Sequence, residues 1–126
     1  METIDILTAL RDQLATVAGV QTCKIGMEAN ITPADYPIVR IVPSTVTYSP
    51  VIGRRRIDVV VYFGQPIHEF TGGLEALYTS MMALETLLLN AATATPNVYV
   101  EYTETVLDED RVEAYKLMAL RLTVEG

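Results

Sequence analysis

The run Arg54-Arg55-Arg56-Ile57-Asp58-Val59-Val60-Val61-Tyr62-Phe63-Gly64 decides the fold of this chain. From Ile57 to Phe63 every residue but Asp58 is Ile, Val, Phe or Tyr, types that fit a pleated surface. A run apolar on both faces is the pattern of a central strand covered on both sides. Ile57, Val59, Val61 and Phe63 share one face and read as the core side. Arg56, Asp58, Val60 and Tyr62 share the other. Gly64 and Pro66 are expected to end the strand, because proline cannot donate to a ladder.

Past a Pro/Gly link, Leu74, Leu77, Tyr78, Met81, Leu84, Leu88 and Ala91 recur at helical spacing on one stripe. Thr71 is the expected N-cap, with Glu75 near the positive end of the helix dipole. Met82, Leu87 and Leu89 lie largely off that stripe. They predict either a helix buried all round or a second apolar face that packs on another subunit.

The remaining elements follow from the same two periodicities. Thr3 is read as the cap of a first helix whose apolar stripe is Ile4, Leu7, Leu10, Leu14 and Val17, with Gly19 as its stop. Between Val20 and Met27 the period becomes two, placing Cys23, Ile25 and Met27 on one side of a strand. Cys23 reads as a small core side chain. Ile38–Val42 predicts a short strand interrupted by Arg40, and 43–53 an extended, projecting connection to the central strand. After a turn at 93–97, Val98, Val100 and Tyr102 alternate in a half-buried strand. Leu107-Asp108-Glu109-Asp110 links it to a last strand whose core face is Ala114, Met118, Leu120, Leu122 and Val124, interrupted by Lys116. Together these predict an α+β fold: a small antiparallel or mixed sheet of about five strands with two α-helices packed on one face.

With 126 residues, half of them apolar, the chain suits one domain with one core. The acidic start Met1-Glu2-Thr3-Ile4-Asp5 lacks the basic flank of a secretory signal, and no apolar run reaches membrane-spanning length. The lone Cys23 rules out an intrachain disulfide and fits a reducing cytoplasm. Sixteen acids against nine bases, a net charge of −7, argue against a surface that binds nucleic acid through its phosphates. Neither a membrane nor a sequence-specific nucleic acid is an expected partner.

Residues able to do chemistry are sparse. His68 is the only histidine and sits beside turn residues, so neither a histidine metal site nor a Ser-His-Asp set is available. Asp108, Glu109 and Asp110, with Glu113, lack the glycine and alternating ligands of a calcium loop. Gly72-Gly73 precedes a helix without a Gly-Lys-Ser/Thr or GxGxxG pattern. No catalytic, cofactor or metal residue is therefore assigned, and no enzymatic activity is expected. Arg54, Arg55 and Arg56 form the one basic cluster, read either as a charged strand entry or as a partner for acidic surface on a neighbour.

Over nearly its full length the order of elements resembles the tail-terminator, or tail-completion, proteins of long-tailed bacteriophages and prophages. The resemblance rests on the amphipathic start Ile4–Arg11, then Tyr36-Pro37-Ile38-Val39-Arg40-Ile41, the long connection, Asp58–Gly64, the long helix and the closing Leu117–Thr123 strand. It implies a structural virion protein, a ring typically of six subunits (a homohexamer) that caps the tail tube. Its implied partners are other copies of itself, the tail tube protein and a head-completion or connector protein. Its implied location is the virion tail, and the bacterial host cytoplasm during assembly. On that reading the interface residues are Arg40, Val46, Tyr48, Val51, Arg54, Arg55, Arg56, Met82, Leu89, Asp108, Glu109 and Asp110. Arg54–Arg56 or Arg40 would meet Asp108–Asp110 across a subunit boundary. The alternatives are another head-tail connector or neck protein, or a small ligand-binding or enzymatic α+β domain built around Arg40, Tyr62 and Asp58.

Overall fold

A computed structural model describes residues 2–48, 53–66, 73–112 and 115–126, without the side chains of Pro66, Leu74, residues 108–112 and Tyr115. The elements are α1 (Thr3–Leu14), β1 (Thr22–Ile25), a short 3-10 turn (Pro33–Asp35), β2 (Ile38–Tyr48), β3 (Arg55–Pro66), α2 (Gly73–Thr93), β4 (Tyr99–Val112) and β5 (Tyr115–Glu125). The strands form one mixed sheet in the order β1-β2-β3-β5-β4. Its one parallel pair is β1 with β2; every other pair is antiparallel. The fold is thus the expected α+β architecture, with β3 at the centre of the sheet.

One core lies between the sheet and the two helices. Ile57, Val59, Val61 and Phe63 of β3 are fully buried in it, flanked by Val39 and Ile41 of β2 and by Met118, Leu120, Leu122 and Val124 of β5. α2 contributes Leu77, Met81, Leu84, Leu88 and Ala92, a ridge at three- and four-residue spacing. Cys23 and Ile25 of β1, Val98 just before β4 and Val100 within it pack against its rim.

Several expectations are corrected. In α1 the buried residues are Ile6, Leu7, Leu10 and Leu14, whereas Ile4 is 58% exposed. Ile4 and Ile6 stand about 200° apart on the helix, so only one of them can face the sheet. The cap is Glu2 and not Thr3: the Glu2 backbone N–H donates to Asp5 Oδ2 at 3.0 Å, and Thr3 is already helical. The helix ends at Leu14, with Gly19 (φ 92°) in the turn beyond. Met27 lies past β1 and is exposed. Thr71, His68 and Ala114 lie outside the described residues.

The strands also run longer than the periodicity shows. β2 does not stop at Val42 but pairs with β3 through Tyr48, so 43–48 is ladder rather than loose connection. Proline is tolerated at position 43 because β1 pairs only with Ile38–Ile41, leaving that side of β2 open. Gly64 does not end β3. It is buried inside the strand opposite Leu117, where a Cβ would stand 2.5 Å from Leu117 Cδ2 and 2.9 Å from the Lys116 carbonyl oxygen. Residues 107–110 belong to β4: Leu107, Asp108 and Glu109 bulge where Val106 pairs with Ala119 and Asp110 with Leu117. A second bulge at Thr103 follows Tyr102, which is exposed rather than half-buried.

Candidate interface

The face of the sheet away from the helices divides into two ends. At one end the segment between β1 and β2 covers Ile38 and Arg40, both fully buried. There the Arg40 guanidinium bonds Glu28 Oε1 through Nε, and donates through one terminal nitrogen to the carbonyl oxygens of Thr22 (3.1 Å) and Val39 (2.9 Å). Its other terminal nitrogen, also buried, has no hydrogen-bond partner. Glu28 takes a second cation, Lys24, at 3.1 Å. The hydrogen bond from Arg40, above all, holds the Glu28 carboxyl below its usual range. Asp35 is similarly lowered by the backbone N–H of Thr32, and the Asp35 carbonyl accepts from the Thr22 hydroxyl at 2.8 Å. These bonds close the β1–β2 segment over the sheet.

The other end is open and polar. Arg56, Asp58, Arg121 and Glu104 are exposed there; Arg121 pairs with Glu104 at 3.4 Å and the Thr123 hydroxyl donates to Asp58 at 3.2 Å. Asp58 and Tyr62 stand four residues apart on β3, about 13 Å along the strand, and Arg40 is sealed beneath its own segment. These three side chains therefore do not converge on one cleft.

At the same end the β2–β3 hairpin carries exposed residues on both strands. Val46 is 47% and Tyr48 65% exposed, and Arg54 and Arg56 are exposed beside them. Arg55 is turned inward. It donates to Glu2 Oε2 (2.8 Å), the Thr3 hydroxyl (3.2 Å) and the Tyr48 hydroxyl (2.9 Å), with the Tyr48 ring 5.3 Å from its guanidinium carbon. Arg55 thus ties the hairpin to the start of α1. Two of the basic residues expected at a subunit boundary, Arg40 and Arg55, are occupied within the chain; Arg54 and Arg56 have no ion pair among the described residues.

On the outer side of α2, Met82 is 42% and Leu87 48% exposed, while Leu89 leans on the core. An open groove of about 500 Å³ along that helix is lined by Glu75, Ala76, Thr79, Ser80 and Ala83. Val51 lies outside the described residues, as do the side chains of Asp108, Glu109 and Asp110. Among the described residues no group of His, Cys, Asp or Glu could hold a metal ion, and no helix is long and apolar enough to cross a membrane.

Sequence reading found the exposed hairpin residues but missed the Arg40–Glu28–Lys24 cluster. Its one signal was an arginine in the middle of an apolar strand, which says that a partner exists but not which acid supplies it. Comparison with known proteins adds no family: no family model matches the sequence, and no curated protein matches it.

Proposed function

We propose that this chain is a structural, ring-forming subunit of the tail-terminator kind, which caps a phage tail tube and presents a surface for head joining. The observation that carries this reading is the β2–β3 hairpin. Its outer half, Pro43–Tyr48 against Arg55–Val59, is a paired, register-fixed arm whose β2 residues are all exposed. Arg56–Val59 also pair with β5, so Pro43–Tyr48 is an edge of the sheet, held on one side by β3 and with no strand on its other side among the described residues. A rigid edge with exposed Val46 and Tyr48 suits a surface that another protein covers, while Arg55 ties it to α1. A terminator needs one docking surface that matches the tube end and a second that refuses further tube protein. The hairpin supplies the first.

The test is a tail-assembly mixture supplied with the intact chain or with a chain whose tip, residues 49–53, is replaced by a two-residue turn. The shortened chain is expected to fold with an unchanged far-UV spectrum and to leave tails overlong or unfinished. Normal tails capped by the shortened chain would remove the hairpin from the account.

A further inference from the structure

Among the described residues, the two outer edges of the sheet each keep one unguarded stretch. On β2, Ile38–Ile41 is covered by β1, Pro43 lacks a donor and Ser44 is bulged, which leaves Thr45–Tyr48. On β4, bulges at Thr103 and at 107–109 break the outer edge and leave Tyr99–Tyr102. Edges without such devices are where sheets join. The register places the two stretches level with each other across the sheet. Thr47, Arg56, Glu125 and Tyr99 form one row, Val46, Ile57, Val124 and Val100 the next, and Thr45, Asp58, Thr123 and Glu101 the third.

We infer that Thr45–Thr47 of one copy of this chain pairs with Tyr99–Glu101 of a second copy, extending the sheet from molecule to molecule. The inference deepens the ring reading and rests on it. β2 and β4 run in opposite directions in this sheet, so an identical copy set beside β4 in the same orientation meets it antiparallel, Thr45 opposite Glu101 and Val46 opposite Val100. On the helix side, exposed Val46 then continues the buried row that runs through Ile57 and Val124 to half-buried Val100. On the other side, Asp58 of the incoming copy is level with Glu101 across Thr45, and Arg56, two residues along β3 on the same face and without an ion pair among the described residues, lies diagonally from Glu101 beside that pair of acids. Beyond Tyr102 the incoming copy's β1 occupies the β2 edge, and the Thr103 bulge falls where β4 must bend aside. The contact is head-to-tail, so it closes into a ring or continues as a chain of molecules.

Directly opposed antiparallel residues sit about 4.5–5.5 Å apart, within disulfide range. In a Cys23→Ala background, Thr45→Cys and Glu101→Cys are placed on separate chains, mixed and oxidised mildly. Cross-linked pairs are expected in the mixture, none in either variant alone, and none when Thr45→Cys meets Asn90→Cys on α2. Val46→Lys added to the Thr45→Cys chain should abolish the cross-link without changing its thermal midpoint. Cross-linking of Thr45→Cys or Glu101→Cys with itself overturns the head-to-tail contact, and so does a chain that stays monomeric by native mass. A ring by native mass without the mixed cross-link overturns the edge pairing and leaves the ring reading standing. Cross-linked assemblies that do not limit tail length uphold the pairing and overturn the terminator reading.

Discussion

Glu28→Gln should destabilise this protein more than Arg40→Met, although the arginine is the buried partner. Arg40 is wholly enclosed, with Glu28 as its charged partner and two backbone carbonyls as its other acceptors. Removing the carboxylate charge leaves a buried cation balanced by neutral acceptors alone. Breaking a fully buried pair in that way costs about 3–5 kcal/mol. The Glu28 side chain is 31% exposed, so water already screens it and about 2 kcal/mol is the expected loss. Arg40→Met removes the buried cation together with its unpartnered nitrogen and leaves Glu28, the partly exposed member of the pair, to Lys24 and water, so no uncompensated buried charge remains and the change is expected to be nearly neutral. At about 2.1 cal/mol/K of unfolding entropy per residue, 126 residues give roughly 4 °C of midpoint shift per kcal/mol. Glu28→Gln should therefore melt about 8 °C below wild type by calorimetry, with Arg40→Met within about 2 °C of it. The pH dependence has a fixed sign. Arg40 lowers the folded-state pKa of Glu28, so the unfolded chain binds the extra proton first and the stabilisation is present above the ordinary glutamate range. It is lost as pH falls through the lowered value, so the gap between wild type and Glu28→Gln should close in acid. An Arg40→Met midpoint well below that of Glu28→Gln, or a gap that persists in acid, would refute the reasoning.

Gly64→Ala should cost about 2 kcal/mol or more, roughly 8 °C, because one of the atoms its Cβ meets is the Lys116 carbonyl oxygen, held by the β3–β5 ladder. A melting curve like wild type would mean that the two strands are less closely apposed there. Burial pushes the Cys23 thiol up to about 11, an effect only partly offset by Arg40 and Arg11. Alkylation at pH 8 should then run roughly a hundredfold slower in the folded protein than in urea; equal rates would put Cys23 outside the rim of the core.

The legible parts of this fold are those where periodicity and burial coincide. β3, β5 and α2 each bury one regular row, and Ile57–Phe63, Met118–Val124 and Leu77–Leu88 were readable from spacing alone. Periodicity failed where the ladder carries no burial. Pro43–Tyr48 is strand because it pairs with β3, yet each of its side chains is exposed, so it reads as connection. Residues 107–110 read as a turn because a bulge replaces alternation with an acidic run. In α1 two isoleucines two positions apart offered two stripes, and only the docking of the helix on the sheet selects Ile6 over Ile4. Of the candidate interface, Met82 was legible as surplus apolar surface and Val46 and Tyr48 as part of a projecting connection, whereas Leu89, read together with Met82, leans on the core. The capture of Arg40 by Glu28 and of Arg55 by Glu2 was not, since each joins residues from separate elements whose meeting depends on the finished sheet.

The central claim is that this protein ends tail-tube growth, and the length distribution of tails assembled with and without it tests that most directly. Electron micrographs should show tails of one length that join heads when the chain is present, and overlong or unfinished, headless tails when it is omitted. Tails of normal length that join heads in its absence would contradict the account.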